Sequence, residues 1–260
     1  MPILGLGTSR LRGGACVSAV ALALEVGYRH IDTAELYGNH EAIGEGLRRA
    51  GIARKDLFIT TKVPPSALAR EAVVASASRY LEELGVNYID LLLIHWPNRS
   101  IPVAETLRAM EELRKKGVVR AIGVSNFTPH HLKDALATGI KVVNNQVELH
   151  PTFNQKELKK FCDGNNIVLT AYAPLGRGAD LEVSLLRELA EKYGVSVPQV
   201  TLNWIMSRGI AAIPKSSGRA HLKDNFHAAV WKVEKGDIAR IDALPQGARI
   251  FAPSSHEFDY

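Results

Sequence analysis

Short apolar runs alternate along the chain with longer stretches of helical periodicity. The strand-like runs are residues 3–6, 28–31, 57–61, 88–94, 118–124, 141–147, 167–172 and 210–213. Several are almost wholly apolar, the pattern of strands buried on both faces. Between them, Val17, Val20, Ala21 and Leu24 fall at i, i+3, i+4 and i+7. Val73, Ala77, Leu81 and Leu84 form a second stripe, and Leu186, Leu189, Ala190 and Tyr193 a third, each predicting an amphipathic helix. Thr128-Pro129 predicts an N-cap followed by proline at the first helical position. Ser196 with Gln199 predicts a capping box. The seventh unit carries two helices, over about 182–193 and 197–207. Residues 245–260, with Pro245, Gly247 and Pro253, read as an irregular tail.

Eight strand–helix units predict an α/β fold, a (β/α)8 TIM barrel forming a single domain over residues 1–260, because closure removes both sheet edges. The alternative is an open, doubly wound sheet, which normally shows GxGxxG after its first strand. Here that turn is Gly5-Leu6-Gly7-Thr8-Ser9-Arg10, without the third glycine. The 260 residues match the length of about 250 usual for such barrels. A net charge of +5 is a mild excess that suits an anionic ligand such as a nucleotide phosphate. It does not predict a nucleic-acid partner: basic residues are mixed with 27 acidic ones, and the densest run, Arg114-Lys115-Lys116 before Gly117, reads as a helix C-terminus. The two cysteines, Cys16 and Cys162, lack CxxC spacing, which predicts neither disulfide nor metal and fits a reduced cytoplasm. The first ten residues carry no basic leader, and no apolar stretch reaches membrane-spanning length.

Candidate chemistry gathers where strands run into the following loops, the catalytic end of a barrel. The second strand ends in Asp32 and leads to Tyr37; the third ends in Lys62 and the fourth in His95-Trp96. The fifth ends in Ser125-Asn126, the sixth near Asn145, Gln146 and Glu148, the seventh in Tyr172, and the eighth in Lys215-Ser216. Singly, each has a structural reading: a cap or ion pair for Asp32, a surface charge for Lys62, a core ring for His95, Tyr37 or Tyr172, solvated charges for Lys215 and Arg219. Their recurrence at successive strand ends favours an enzyme. A tyrosine hydroxyl titrates near 10, a lysine ammonium beside it favours the phenolate, and a carboxylate keeps that lysine charged. A histidine then donates to, or shares a proton with, a substrate oxygen. The set suits polarising and protonating a carbonyl.

These residues lie in motifs that resemble the aldo-keto reductase superfamily. The segment from Gly27 through Asp32 and Tyr37 to Asn39 is similar to its first signature, Ile122 to Phe127 to its second, and Ile213-Pro214-Lys215-Ser216 to the start of its third. Leu93 to Pro97, Asn145 to Pro151 and Ala171 to Gly176 also match, so the resemblance spans nearly the whole chain. The chain is similar to short bacterial members of the 2,5-diketo-D-gluconate reductase B kind. The resemblance implies a catalytic tetrad, with Tyr37 as general acid, Lys62 and Asp32 tuning it, and His95 orienting a small-molecule carbonyl substrate. It implies NADPH as cofactor, with NADH as an alternative. Ser125, Asn126 and Gln146 would hold the nicotinamide and Tyr172 would stack on it. Pro174, Leu175 and Gly176 would line the pyrophosphate path, Lys215 and Ser216 would meet the 2′-phosphate, with Arg219 standing in for the usual arginine at the adenosine end, and Asp224 and Asn225 would hold the adenine side. It further implies a monomer.

The chain departs from the family pattern in three places. His221 stands where an arginine is usual, with Arg219 two residues earlier. His40 replaces a glutamate, a change expected to affect packing more than chemistry. The loops at 98–102 and 177–180 are short, which predicts an open pocket and broad substrates. Two other functions remain open at this level: a Schiff-base lyase using Lys62, and a cofactor-sensing binding protein without turnover.

Overall fold

The computed structural model describes residues 1–252, 258 and 260. Among them, eight strands form one parallel sheet in chain order: β1 (Leu6–Gly7), β2 (His30–Asp32), β3 (Phe58–Val63), β4 (Ile89–Ile94), β5 (Val119–Ser125), β6 (Asn144–Glu148), β7 (Val168–Tyr172) and β8 (Ala211–Ala212). Around them run α1 (Gly13–Val26), α2 (His40–Ala50), α3 (Arg70–Leu84), α4 (Val103–Lys115), α5 (Pro129–Ala137), α6 (Lys156–Gly164), α7 (Ser184–Tyr193), α8 (Val197–Ser207), α9 (Arg219–His227) and α10 (Lys235–Asp242). Bridges from Leu4 to Ala212 and from Gly7 to Lys215 join the first strand to the last. The sheet therefore closes into the expected barrel.

Closure also explains the glycines of the first strand. A Cβ on Gly7 would stand 2.5 Å from the carbonyl oxygen of Ile213, and one on Gly5 would stand 2.6 Å from the His30 ring. Both positions require glycine because the seam and the barrel floor approach the backbone closely. The strands at the seam are shorter than the apolar runs predict, two residues each in β1 and β8, with Leu4 held by an isolated bridge.

The predicted helical stripes face the barrel. Val17, Val20 and Leu24 of α1, Val73, Ala77 and Leu84 of α3, and Leu186, Leu189 and Ala190 of α7 are buried. Each valine or leucine so covered contributes about 1.5–3 kcal/mol. The Thr128 hydroxyl caps α5 by accepting from His131 N, with Pro129 following. At α8 only half of the predicted capping box forms. The Ser196 hydroxyl accepts from Gln199 N at 3.2 Å, but the Gln199 side chain donates to Asp224 of α9 at 2.7 Å, a part-buried carboxylate that needs the donor. α4 ends in the basic run, as its dipole favours. Helix α10 was not marked by any pattern. Residues 245–252 have no helix or strand; residues 253–257 and 259 of the predicted tail lie outside the described residues. Cys16 and Cys162 are free and buried. Among the described residues, no helix is long and apolar enough to cross a membrane.

Candidate active site

The strand ends converge at one mouth of the barrel. Lys62 Nζ donates to Asp32 Oδ1 at 2.6 Å and to the Thr33 carbonyl at 2.7 Å, and both charged side chains are buried. The other carboxylate oxygen of Asp32 accepts from Gln146 Nε2 at 2.6 Å. A buried ion pair is tolerable only with its remaining hydrogen-bonding capacity used, and here it is.

Tyr37 closes a 3-10 turn, Glu35–Tyr37, that ends on Gly38 in the left-handed region at φ 57°. Asn39 ties this turn down: its amide donates to the carbonyls of Thr8 (3.0 Å) and Leu11 (3.1 Å) and accepts from the Thr33 hydroxyl at 2.7 Å. The Tyr37 ring meets His95 edge-on at 5.8 Å between centroids, and Lys62 Nζ lies 5.2 Å from the Tyr37 centroid. Asp32, Tyr37, Lys62 and His95 are thus neighbours, as the strand-end pattern predicts. One electrostatic expectation needs correction. Burial raises the Tyr37 phenol above its ordinary pKa, and the opposing pull of Lys62 does not overcome it. For Lys62, burial works against the charge, but Asp32 and Tyr37 outweigh it and the pKa rises. The resting site therefore holds a protonated phenol beside a protonated ammonium.

A second group adjoins the first. The Ser125 hydroxyl donates to the Gln146 carbonyl at 2.8 Å. Asn126, in the left-handed region at φ 63°, donates to the His95 carbonyl at 3.0 Å and accepts from the Tyr172 hydroxyl at 2.9 Å. Ser125, Asn126 and Gln146 are buried, while Tyr172 keeps an exposed edge. Because Gln146 also holds Asp32, the two groups form one network.

The third group sits at the seam. Pro174, Leu175 and Gly176 lead from β7 into the 3-10 stretch Gly176–Glu182. Lys215 is exposed, and Ser216 beside it is buried, with no hydrogen-bond partner for its hydroxyl among the described residues. Arg219 opens α9, yet its guanidinium is paired with Glu25 of α1 at 2.8 and 2.7 Å. Asn225 is buried. Asp224 commits its carboxylate to Ser196 at 2.6 Å and Gln199 at 2.7 Å, so it ties α9 to α8.

His40, the residue that departs from the family pattern, is buried behind the Tyr37 turn. Its ring contacts the Thr61 hydroxyl and Glu83, both at 2.8 Å, and stacks edge-on against Tyr80. The Tyr80 hydroxyl in turn donates to Glu35 of the turn. Beside the short loops, the rings of Phe251 and Phe258 each lie 5.7 Å from the Trp96 ring. Sequence reasoning missed Asp180, which meets His150 at 3.0 Å; nothing in the periodicity distinguishes a buried carboxylate within a loop. Among the described residues, no group of three or more His, Cys, Asp or Glu side chains is placed to hold a metal.

Comparison with known proteins gives the family. The model of the aldo/keto reductase family matches residues 4–246. The 9,11-endoperoxide prostaglandin H2 reductase of Trypanosoma cruzi is 43% identical over 255 residues, covering 96% of this chain and 90% of its own length. The glyoxal reductase of Bacillus subtilis is 41% identical over 252 residues, covering 96% of this chain and 91% of its own length. A solved structure assigned provisionally as a 2,5-diketo-D-gluconic acid reductase B superposes with a TM-score of 0.95 at 33% identity, covering 98% of this chain and 92% of that one. The chain belongs to the aldo/keto reductase family.

Proposed function

We propose that the protein reduces aldehydes or ketones to alcohols with NAD(P)H, with Tyr37 as the proton donor. The carrying observation is the meeting of Tyr37, the charged Lys62–Asp32 pair and His95 beside the Ser125–Asn126–Gln146–Tyr172 network. The bound nicotinamide supplies the hydride. Ser125, Asn126 and Gln146 present amide and hydroxyl groups that suit a carboxamide, and Tyr172 offers a ring face. At the far end, the orphaned Ser216 hydroxyl, the exposed Lys215 and the uncapped N-terminus of α9 suit an anionic group, which favours the 2′-phosphate of NADPH.

Tyr37 and His95 would receive the carbonyl oxygen between them. The phenol holds its proton at rest, which is the state a reductase needs. As negative charge develops on the substrate oxygen, the proton moves from the Tyr37 hydroxyl to it. The Lys62 ammonium stabilises the phenolate left behind, and Asp32, itself braced by Gln146, keeps that ammonium charged. Small aldehydes, α-dicarbonyls and keto-sugar acids are the substrates this reading favours. A Schiff-base lyase needs Lys62 as a free amine, whereas Lys62 is buried, protonated and paired.

The test is NADPH consumption across a panel of aldehydes, glyoxal and methylglyoxal included. Turnover with at least one carbonyl is expected. Cofactor binding without any turnover would instead make this a cofactor-sensing protein. Trapping of a substrate on Lys62 by borohydride would make it a lyase.

A further inference from the structure

Behind the cofactor-facing loop lies a cluster of buried ionisable groups that the chemistry above does not use. Glu148, the last residue of β6, is fully buried. Its two oxygens accept from the backbone amides of Ile250 (2.6 Å) and Phe251 (2.8 Å), at the start of the C-terminal tail. Asp180, also fully buried, belongs to the 3-10 stretch after β7. One of its oxygens accepts from the Thr152 hydroxyl at 2.6 Å. Its carboxylate lies so close beneath Gly176 that a Cβ there would stand 2.9 Å from it. His150 stands between the two acids, with Nδ1 3.0 Å from Asp180 Oδ2 and Nε2 3.6 Å from Glu148 Oε1.

Three separate segments therefore meet in one cluster: the end of β6 and the loop after β7 face the imidazole through Glu148 and Asp180, and the tail is held by Glu148. The remaining groups facing the cluster are Arg249 and Tyr172, both near Glu148, and the Phe153 ring, 6.0 Å from His150. Two buried carboxylates repel one another unless a cation separates them. Arg249 answers Glu148 from the tail, which leaves His150 as the cation that answers Asp180.

We infer that His150 is a positioning residue for the cofactor: its positive charge pins the loop that begins at Gly176, and the tail at Ile250–Phe251, in the arrangement that receives the pyrophosphate. This rests on the reading that Pro174, Leu175 and Gly176 line the cofactor path. Burial disfavours the His150 charge, but the hydrogen bond to Asp180 and the attraction of both carboxylates prevail, and its pKa is pushed up to about 9. The same contacts hold Asp180 and Glu148 below their ordinary values. Through the neutral range the pin is charged. Above about pH 9 the proton leaves His150, the two carboxylates face each other with Arg249 alone to balance them among the described residues, and the loop and tail are released.

The experiment is NADPH affinity, followed by quenching of protein fluorescence, as a function of pH. Cofactor binding favours the pinned loop and so retains the His150 proton. Linkage then makes Kd rise with pH above the His150 titration, by about three- to tenfold per pH unit, after a level region from pH ~6.5 to ~8. His150→Asn should bind NADPH more weakly than wild type at neutral pH and lose that rise; Asp180→Asn should move it to lower pH. A wild-type Kd that stays level to pH ~10 would overturn the inference without needing any variant. So would a folded His150→Asn protein with wild-type affinity. If wild type binds no NADPH even at neutral pH, the cofactor reading itself has failed, a distinct result.

Discussion

At the scale of single residues, Tyr37 and Lys62 carry the sharpest expectations. In the proposed mechanism the Tyr37 proton matters only as charge develops on the substrate oxygen, so Tyr37→Phe should leave the NADPH Kd nearly unchanged while kcat falls by about 10²-fold or more. Steady-state rates with chemistry limiting decide it, and wild-type kcat in the variant would remove Tyr37 from the mechanism. Lys62 is the charge that opposes the upward push of burial on the Tyr37 phenol, helped by a hydrogen bond with Ser9. Lys62→Met removes that pull and leaves Asp32 buried with Gln146 alone. The phenol's pKa should rise further and turnover should nearly cease. A pH–rate profile for the residual activity reads the shift, and an unchanged profile would contradict the role.

At the scale of elements, the proposed preference for NADPH turns on how α9 and α1 meet. The N-terminus of α9 offers free backbone donors and a favourable dipole, with Lys215 just before it. Arg219, though, is held by Glu25 near the end of α1. A 2′-phosphate must therefore draw Arg219 from Glu25 or share it. Lys215→Ala should weaken NADPH by about tenfold and NADH little, since a charge-assisted contact is lost only with the phosphate. Arg219→Ala should show the same discrimination, though less of it. Glu25→Gln should do the opposite, tightening NADPH about two- to threefold, because exposed pairs contribute little. Paired dissociation constants for both cofactors test all three. Equal losses for both cofactors would show that these side chains support the fold rather than read the phosphate.

At the scale of the whole molecule, acid stability should turn on the barrel floor. His30 is buried, contacts the Thr60 hydroxyl at 3.0 Å, and fills the space that Gly5 leaves. Burial lowers its pKa from 6.5 to about 4. A depressed folded-state pKa means that the unfolded chain binds the proton first. The stabilisation is complete above about pH 6.5 and is lost as pH falls towards 4, amounting to up to roughly 3 kcal/mol. Urea unfolding at pH 7 and pH 5 should therefore show a marked drop for wild type. The drop should be smaller in His30→Gln, whatever that variant's stability at pH 7, and an equal drop would dismiss His30 as its source.

The sequence by itself determined the barrel and most of its mouth. Eight buried apolar runs can hide their edges only by closing, and the residue that ends each run is fixed by the chain, so Asp32, Lys62, His95, Ser125 and Tyr172 had to arrive at one end. It also determined the helix faces, because a period of 3.6 is a local property. What it did not determine are pairings between side chains far apart in the chain. That Gln146 braces Asp32, that Glu25 holds Arg219, that Gln199 turns to Asp224 instead of closing its capping box, and that His150 joins Glu148 to Asp180 were decided only on folding. Burial follows the same division. The lysine's pull on Tyr37 was legible from charge alone, but its opposite, desolvation, depends on how deeply the phenol is enclosed, and that enclosure is made by elements that meet only in the tertiary structure.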